Sequence, residues 1–169
     1  PGVTRMQRVK LDRIDRRILQ DLQEDGRMTN VKLSKRAGIS APPCLRRVRA
    51  LEEAGYITGY HANIEPKKFG FNVTVFAQIA LNSQAETDLE NFEEQVRSWT
   101  EVRECHMLVG ETDFLLKVVT TDWEAYNTFL TTKLTPAKNL SHVKSALSIR
   151  SSKMAPGIPI DVNGEDESD

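Results

Sequence analysis

The chain has 169 residues, of which 39% are hydrophobic and 28% are charged, so it can bury the core of one domain or of two small ones. It contains no apolar run of membrane-spanning length, and its first residues show no signal-peptide pattern. Its two cysteines lie far apart and offer no disulfide framework, so we exclude membrane-embedded and disulfide-rich secreted proteins and expect a cytoplasmic one.

The charge is divided unevenly along the chain. Residues 1–61 hold 13 Lys and Arg against 7 Asp and Glu, a net charge of +6, whereas the remaining 10 basic and 17 acidic residues give −7. A basic module joined to an acidic one indicates two domains. We predict a first domain at residues 1–60, a hinge linker at 61–71, a second domain at 72–155 and an acidic flexible tail at 156–169. We expect the native chain to start near Met6.

The first predicted helix covers residues 11–23. Apolar residues at positions 14, 18, 19 and 22 form one stripe along it, and Asp12 is a suitable N-cap. Gly26 is expected to end the helix.

Residues 28–51 predict a helix-turn-helix. Asn30 can cap a short helix over residues 31–37, and Gly38 can end it because glycine adopts the left-handed conformation without strain. A second helix follows and runs to about residue 54. Two packed helices joined by a glycine-containing turn are typical of the DNA-binding motif whose second helix lies in the major groove.

The second helix of this motif carries the predicted DNA contacts. Its first turn contains two prolines, which do no harm there because those backbone N–H groups have no acceptor within the helix. Its buried edge is predicted to consist of Leu45, Val48 and Leu51. Arginines projecting elsewhere suit phosphates and guanine edges, although a solvated basic face on an ordinary helix is the alternative. The predicted DNA-binding residues are Ser40, Pro42, Pro43, Arg46, Arg47 and Arg49. Residues 55–60 then resemble a short strand or wing.

The second half of the chain predicts the order βαββαβ. Strands are expected over residues 73–81, 102–109, 114–119 and 142–149, and capping boxes at residues 83–86 and 121–124 are expected to open the two helices. This is the ferredoxin-like split arrangement, with both helices on one face of an antiparallel sheet. The whole chain is therefore predicted to be an α+β protein, with a winged-helix-like helix-turn-helix domain followed by a ferredoxin-like sandwich domain.

One face of the predicted sheet is left without helices, yet it carries several apolar side chains. A second copy of the chain, packed through its own sheet, is the natural cover for such a face. We therefore predict at least a homodimer.

Five sequence motifs occur in a characteristic order. They are LDRIDRRIL from Leu11, LSKRAGIS from Leu33, CLRRVRALE from Cys44, GYITGY from Gly55 and ECHMLVG from Glu104. Together they resemble the leucine-responsive regulatory protein family, Lrp/AsnC, over residues 10–150. The resemblance implies a bacterial or archaeal transcription regulator whose C-terminal domain dimerises and often builds octamers. It also implies a small effector, usually an amino acid, bound between dimers.

The same resemblance implies an effector site. In the family a Gly-x-x-Asp loop after the second strand lines this site, and the chain carries Gly110 and Asp113. The Asp113 carboxylate can receive an ammonium group while backbone donors take a carboxylate; alternatively, the two residues merely form a tight hairpin. The opposite wall departs from the family pattern, because residues 134–140 read LTPAKNL and 143–145 read VKS. The implied effector-binding residues are Met107, Gly110, Asp113 and Ser145.

Neither a catalytic nor a metal site is predicted. Cys105 and His106 are adjacent on a strand and point to opposite faces, and His61 and His142 lack the spacing of metal ligands. We therefore predict a protein that is not an enzyme, has no cofactor, metal or membrane partner, and binds double-stranded DNA and an amino acid. The alternatives are an amino-acid-binding regulatory subunit of an enzyme and an architectural DNA-compacting protein.

Overall fold

The computed structural model describes residues 10–164, which form two units. The first unit comprises the residues up to Asn63 together with the segment from Lys153 onward, and the second runs from Ile64 to Ser152. The change from one unit to the next falls inside the segment predicted as a hinge, whose role as a hinge stays a prediction. The predicted native start near Met6 lies outside the described residues. None of the described helices is long and apolar enough to cross a membrane.

Three helices build the first unit: α1 (Arg13–Glu24), α2 (Asn30–Ala37) and α3 (Ala41–Glu53). Their apolar edges meet in a small core formed by Ile18, Leu33, Cys44 and Leu51, each at most 4% exposed. The predicted helix-turn-helix is confirmed, and Gly38 ends α2 in the left-handed conformation, with φ 72°. The strand predicted over residues 55–60 does not form.

Side chains that accept free backbone N–H groups decide where these helices start. α1 opens with a capping box, in which Asp12 accepts from the Asp15 N–H at 2.8 Å and Asp15 accepts from the Asp12 N–H at 3.2 Å. The prediction that Asn30 caps α2 is wrong. Thr29 is the cap, and the Asn30 amide instead donates to the Ala41 carbonyl at 2.7 Å, which links α2 to the start of α3.

The C-terminal segment, residues 153–164, packs on α1. The side-chain amide of Gln23 donates to the Ile158 carbonyl at 2.6 Å and accepts from the Ile158 N–H at 2.9 Å. Gly157 has φ 60°, and a Cβ at this position would collide with the Gln23 side chain. These contacts make the segment part of the first unit, while the flexibility predicted for residues 156–169 stays a prediction.

The second unit has the predicted order βαββαβ. Its elements are β1 (Val73–Leu81), α4 (Glu86–Arg97), β2 (Val102–Met107), β3 (Phe114–Thr120), α5 (Trp123–Phe129) and β4 (Leu140–Leu147). α5 continues as a short π-helix over Leu130–Leu134, and a 3-10 helix over Pro66–Phe69 precedes β1. β1 has the predicted limits, whereas β2 and β4 each end two residues earlier than predicted.

The four strands form one antiparallel sheet in the order β2-β3-β1-β4. Alternate residues of the two central strands point toward the helices and are fully buried: Val75, Ala77, Ile79, Phe114, Leu116 and Val118. Helix residues cover them, chiefly Phe92, Val96, Tyr126 and Phe129. The opposite face of the sheet, here called the open face, has no described helix against it.

Both capping boxes predicted in this unit are wrong. α4 starts after Ala85, which has no capping side chain, and the Ser83 hydroxyl accepts from the Ala85 N–H at 3.2 Å in the preceding turn. The N-cap of α5 is Asp122, whose carboxylate accepts from the Ala125 N–H at 2.7 Å. The predicted cap, Thr121, therefore lies one residue before the observed one.

Candidate DNA-binding surface and effector site

The inner edge of α3 is formed by Cys44, Val48 and Leu51. Cys44 is completely buried, and Leu51 is nearly so, whereas Leu45 is 39% exposed. The predicted edge of Leu45, Val48 and Leu51 is therefore wrong in its first member. On a helix, a step of three residues falls about 60° short of a full turn, so the two such steps from residue 45 to residue 51 place them on different edges. The steps from 44 to 48 and from 48 to 51, of four and three residues, nearly cancel and keep these residues on one edge.

The outer edge of α3 carries two arginines and an apolar side chain. Arg46 and Arg49 are exposed, and neither forms an ion pair with any residue in the range 10–164. Leu45 lies beside them on the exposed side, although the sequence pattern places it in the core. We call Leu45, Arg46 and Arg49 the outer stripe. The outer stripe places two guanidinium groups beside an apolar side chain, a combination that suits contact with base edges in a DNA groove.

The predicted residues at the start of α3 lie where the sequence placed them. Ser40 is exposed at the N-cap position, but its hydroxyl makes no capping hydrogen bond, and Pro42 and Pro43 occupy the first turn. Because proline has no backbone N–H, this first turn offers fewer of the N–H donors with which a helix N-terminus binds anions such as phosphate.

Arg47 differs from its two neighbours because its guanidinium is bound within the unit. Nη1 donates to Asp12 Oδ2 and to Asp15 Oδ1, both at 2.8 Å. Burial tends to raise the pKa of Asp12, but hydrogen bonds from the Asp15 N–H and from Arg47 outweigh it and hold that pKa below its ordinary value. Contact of Arg47 with DNA stays a prediction, and the structure gives this side chain partners that the sequence did not indicate.

A second carboxylate, Asp21, is buried between α1 and α2. It is 1% exposed and accepts from Arg17 Nε at 3.2 Å and from Arg36 Nη2 at 2.7 Å. Burial raises the pKa of Asp21, whereas the two arginines lower it and prevail. The pair with Arg36 joins α1 to α2 and has no local signal in the sequence, whereas the pair with Arg17 lies within α1 at a spacing of four residues.

In the second unit, Asp113 fastens the loop between β2 and β3 to the end of β1. Its Oδ2 accepts from the Leu81 N–H at 2.7 Å, and its own N–H donates to the Ile79 carbonyl at 2.8 Å. Its other carboxylate oxygen, Oδ1, has no hydrogen-bond partner among residues 10–164. Gly110 lies in the same loop, so the structure brings these two predicted effector residues to one end of the sheet.

Met107 and Ser145 lie on opposite edge strands. Met107 pairs with Phe114 on β3 and is 51% exposed, whereas Ser145 pairs with Ala77 from the far side of β1. Three inter-strand spacings separate the two edges, roughly 14 Å. The Ser145 hydroxyl also shares a short hydrogen bond with the hydroxyl of Tyr126. One copy of the chain therefore does not bring all four predicted effector residues together.

The two reactive side chains on β2 face opposite sides of the sheet. The Cys105 residue is exposed at the edge of the sheet, but partial desolvation of its thiol, followed by the nearby Glu93 carboxylate, raises the pKa of that thiol to about 11, so this cysteine is a poor nucleophile. His106 lies on the open face, 3.3 Å from Glu104. In the described part of the chain, no group of three or more His, Cys, Asp or Glu side chains is arranged to hold a metal ion.

Two family profiles match the chain. One describes a winged helix-turn-helix DNA-binding domain and covers residues 11–58; the other describes an Lrp/AsnC ligand binding domain and covers residues 74–158. The leucine-responsive regulatory protein of Rhizobium meliloti is 46% identical over 148 residues, which are 88% of this chain and 95% of that protein. The protein of the same name from Escherichia coli K12 is 48% identical over 120 residues, 71% of this chain and 73% of its own.

Solved structures show the same likeness. A transcriptional regulator from Neisseria meningitidis, crystallised as a complex with L-Met, has a TM-score of 0.85 and 36% identity, covering 89% of this chain and 97% of its own. An AsnC family transcriptional regulator from Agrobacterium tumefaciens has a TM-score of 0.82 and 36% identity, with coverage of 88% and 97%.

Proposed function

Because the chain belongs to the Lrp/AsnC family of transcription regulators, we propose that it recognises defined sequences in double-stranded DNA and that an amino acid changes this recognition. The proposal is supported above all by one observation. The same chain contains a helix-turn-helix with the exposed outer stripe and the ligand-binding domain of the family. The Neisseria meningitidis relative was crystallised with L-methionine, which supports an amino acid as the ligand class. Such a regulator acts on the chromosome in the cytoplasm and needs no catalytic group.

The outer stripe is proposed to read base edges in the major groove. A guanidinium can form two hydrogen bonds to guanine, which suits Arg46 and Arg49, and the apolar Leu45 can contact a thymine methyl group. Ser40 is proposed to hold a phosphate at the start of α3 through its hydroxyl, whereas Pro42 and Pro43 have no backbone N–H and can contribute only contacts of their rings. The free side chains on the stripe support this division between reading and positioning contacts.

The loop of Gly110 and Asp113 is proposed to receive the effector. Asp113 Oδ1 can accept from the ammonium group while Oδ2 stays bound to the Leu81 N–H, so ligand binding need not break the loop's own support. Met107 is proposed to contact the effector side chain at the neighbouring edge, and Ser145 to contribute a hydroxyl from a second copy. The wide separation of these last two residues within one copy supports a shared site.

A homodimer is proposed to form through the open face, with octamers as the larger assembly. Apolar side chains on that face are at least partly exposed: Phe76, Leu115, Val119 and Ala146. An ion pair between Lys117 and Glu104, with Nζ and Oε1 2.8 Å apart, lies among them. Exposed apolar side chains gathered on one face of a sheet, with a charged group paired among them, are compatible with a subunit interface.

Selection of DNA from a random duplex library tests the DNA-binding part of the proposal. The full chain is expected to enrich a pseudo-palindromic sequence, because a symmetric dimer presents two recognition helices. DNase protection of that sequence against a scrambled duplex would confirm a regulator. Binding without enrichment would instead indicate an architectural DNA-compacting protein, and no binding at low salt would leave the enzyme-subunit alternative.

A thermal-shift screen of the twenty amino acids tests the ligand part. Both tryptophans, Trp99 and Trp123, belong to the second unit, so their fluorescence follows unfolding of the ligand-binding domain. A ligand present at a hundred times its Kd should stabilise that domain by about 2.7 kcal/mol. L-methionine is the first probe, and a midpoint that no amino acid moves would contradict the proposal.

A further inference from the structure

Arg47 closes a ring of hydrogen bonds at the start of α1. Asp12 and Asp15 already bond each other's backbone N–H groups in the capping box, and the guanidinium of Arg47 binds one oxygen of each carboxylate. The contact spans 35 and 32 residues of sequence, so it ties α3 directly to the N-terminus of α1. Removal of the guanidinium would leave two carboxylates facing each other across this end of the helix.

The surroundings of Arg47 set it apart from the outer stripe. Asp15 is 14% exposed, so the ion pair is partly shielded from water and its charge is compensated within the unit. Arg46 and Arg49 have no such partner among residues 10–164. A phosphate that approached Arg47 would meet a guanidinium whose charge is already compensated by two carboxylates, so little attraction is left for a new anion.

We propose that Arg47 is a positioning residue for DNA recognition, which sets the orientation of α3 against α1 and does not itself bind DNA. The inference rests on the proposed DNA-binding function of the helix-turn-helix. The core shared by these helices, which includes Ile18 and Cys44, is apolar and gives little directional control. Both bonds come from Nη1, whose two N–H groups point in fixed directions in the guanidinium plane, so the two carboxylates at the start of α1 restrict the rotation of α3.

Fluorescence anisotropy with the full chain tests the proposal on two duplexes, the sequence enriched by selection and a scrambled one, at several KCl concentrations. Arg47→Met keeps most of the side-chain stem, and Arg46→Met is the matched control on the outer stripe. We expect Arg47→Met to weaken binding of the selected duplex about tenfold, to leave the scrambled duplex within about twofold, and to leave the salt slope unchanged. Arg46→Met should lower the salt slope by about one unit per bound recognition helix if Arg46 contacts a phosphate, or lose base preference at one position if it reads a base.

A carboxylate variant makes the two roles of Arg47 predict different results. Asp12→Asn with Asp15→Asn keeps the helix cap, because asparagine also caps, but releases the guanidinium. A positioning role predicts a smaller preference for the selected over the scrambled duplex, as in Arg47→Met. A direct contact of Arg47 with DNA predicts that this preference is kept, because the released guanidinium can still bind the duplex. Removal of two anions strengthens binding of both duplexes in either case.

Each result has a defined reading. A merely stabilising role would reduce binding to both duplexes alike, by lowering the folded fraction seen in circular dichroism, and would overturn the proposal. A salt slope that falls by about one unit in Arg47→Met would overturn it as well, even on the scrambled duplex. If Arg47→Met does not fold, the carboxylate variant decides alone. A wild-type protein that does not distinguish the two duplexes would contradict the proposed function, separately from Arg47.

Discussion

Replacement of Asp113 separates its structural role from its proposed role in ligand binding. Its carboxylate accepts from the Leu81 N–H at 2.7 Å, and Leu81 is 4% exposed, so water cannot readily replace the lost acceptor. A second contact, from the Gln84 amide at 3.5 Å, is too long to add much. Asp113→Ala therefore leaves a buried N–H without a partner, whereas Asp113→Asn keeps an oxygen in place.

The expected magnitudes follow from these contacts. A buried donor left without an acceptor costs about 1–3 kcal/mol, and a hydrogen bond to a charged group contributes about 1.5–3 kcal/mol. We expect Asp113→Ala to lower the free energy of unfolding of the second unit by about 2 kcal/mol. Asp113→Asn should lose about 1 kcal/mol or less, because the amide oxygen still accepts from the Leu81 N–H.

Urea unfolding followed by tryptophan fluorescence measures this loss. The signal is specific to the second unit, where Trp99 makes edge contacts with Phe92 and Phe129. The same samples titrated with L-methionine report ligand binding. If the carboxylate receives the ammonium group, both variants should lose the ligand's stabilisation, although only Asp113→Ala is markedly less stable.

Two outcomes would refute this reasoning. Equal stability of wild type and Asp113→Ala would show that the bond to the Leu81 N–H contributes nothing. A wild-type response of Asp113→Asn to L-methionine would show that the residue only forms the turn and that the ammonium group is held elsewhere.

Three further predictions concern the first unit and the assembly. Asp21→Asn should destabilise the helix-turn-helix by about 1–2 kcal/mol near neutral pH, as measured by circular dichroism at 222 nm. The pKa of Asp21 in the folded protein lies below 3.8, so the wild type should keep its full advantage in stability over Asp21→Asn above pH 3.8. That advantage should disappear as the pH falls through the folded pKa. An advantage that persists at lower pH would contradict the assignment of Asp21 as the ionised partner of the arginines. Gly157→Ala should cost about 1–2 kcal/mol and speed hydrogen exchange at Ile158, because alanine disfavours a positive φ and meets Gln23; unchanged exchange would mean that the C-terminal segment does not need this contact. Light scattering at micromolar concentration should give at least a dimer, and a monomeric mass would remove the open face as an interface.

Local periodicity made the sheet and helix order predictable. The limits of β1 follow from its sequence because apolar residues alternate at positions 73, 75, 77, 79 and 81, and a one-residue slip would turn every side chain to the wrong face. Gly38 likewise identifies the end of α2, because few other residues adopt its positive φ. The family motifs identify the type of each domain, which the spacing of hydrophobic residues alone does not.

Helix starts and long-range pairs were not predictable from the same signals. Thr29 and Asn30 are both suitable caps, and only the packing of Asn30 against Ala41 decides between them. The three-residue spacing of Leu45, Val48 and Leu51 places Leu45 in the predicted core, whereas Cys44, four residues before Val48, fills that place in the structure. The partners of Arg47 lie more than thirty residues away, so no local pattern separates it from the free arginines beside it.

The coupling between ligand and DNA is the central claim, and one binding measurement tests it most directly. The Kd of the full chain for its selected duplex is measured by anisotropy at fixed salt, without ligand and then with each amino acid in excess, starting with L-methionine. We predict that at least one amino acid changes this Kd by roughly 5–150-fold, which corresponds to a coupling of about 1–3 kcal/mol. Identical Kd values with and without every amino acid, from a protein that still binds one of them in the thermal-shift screen, would contradict the account.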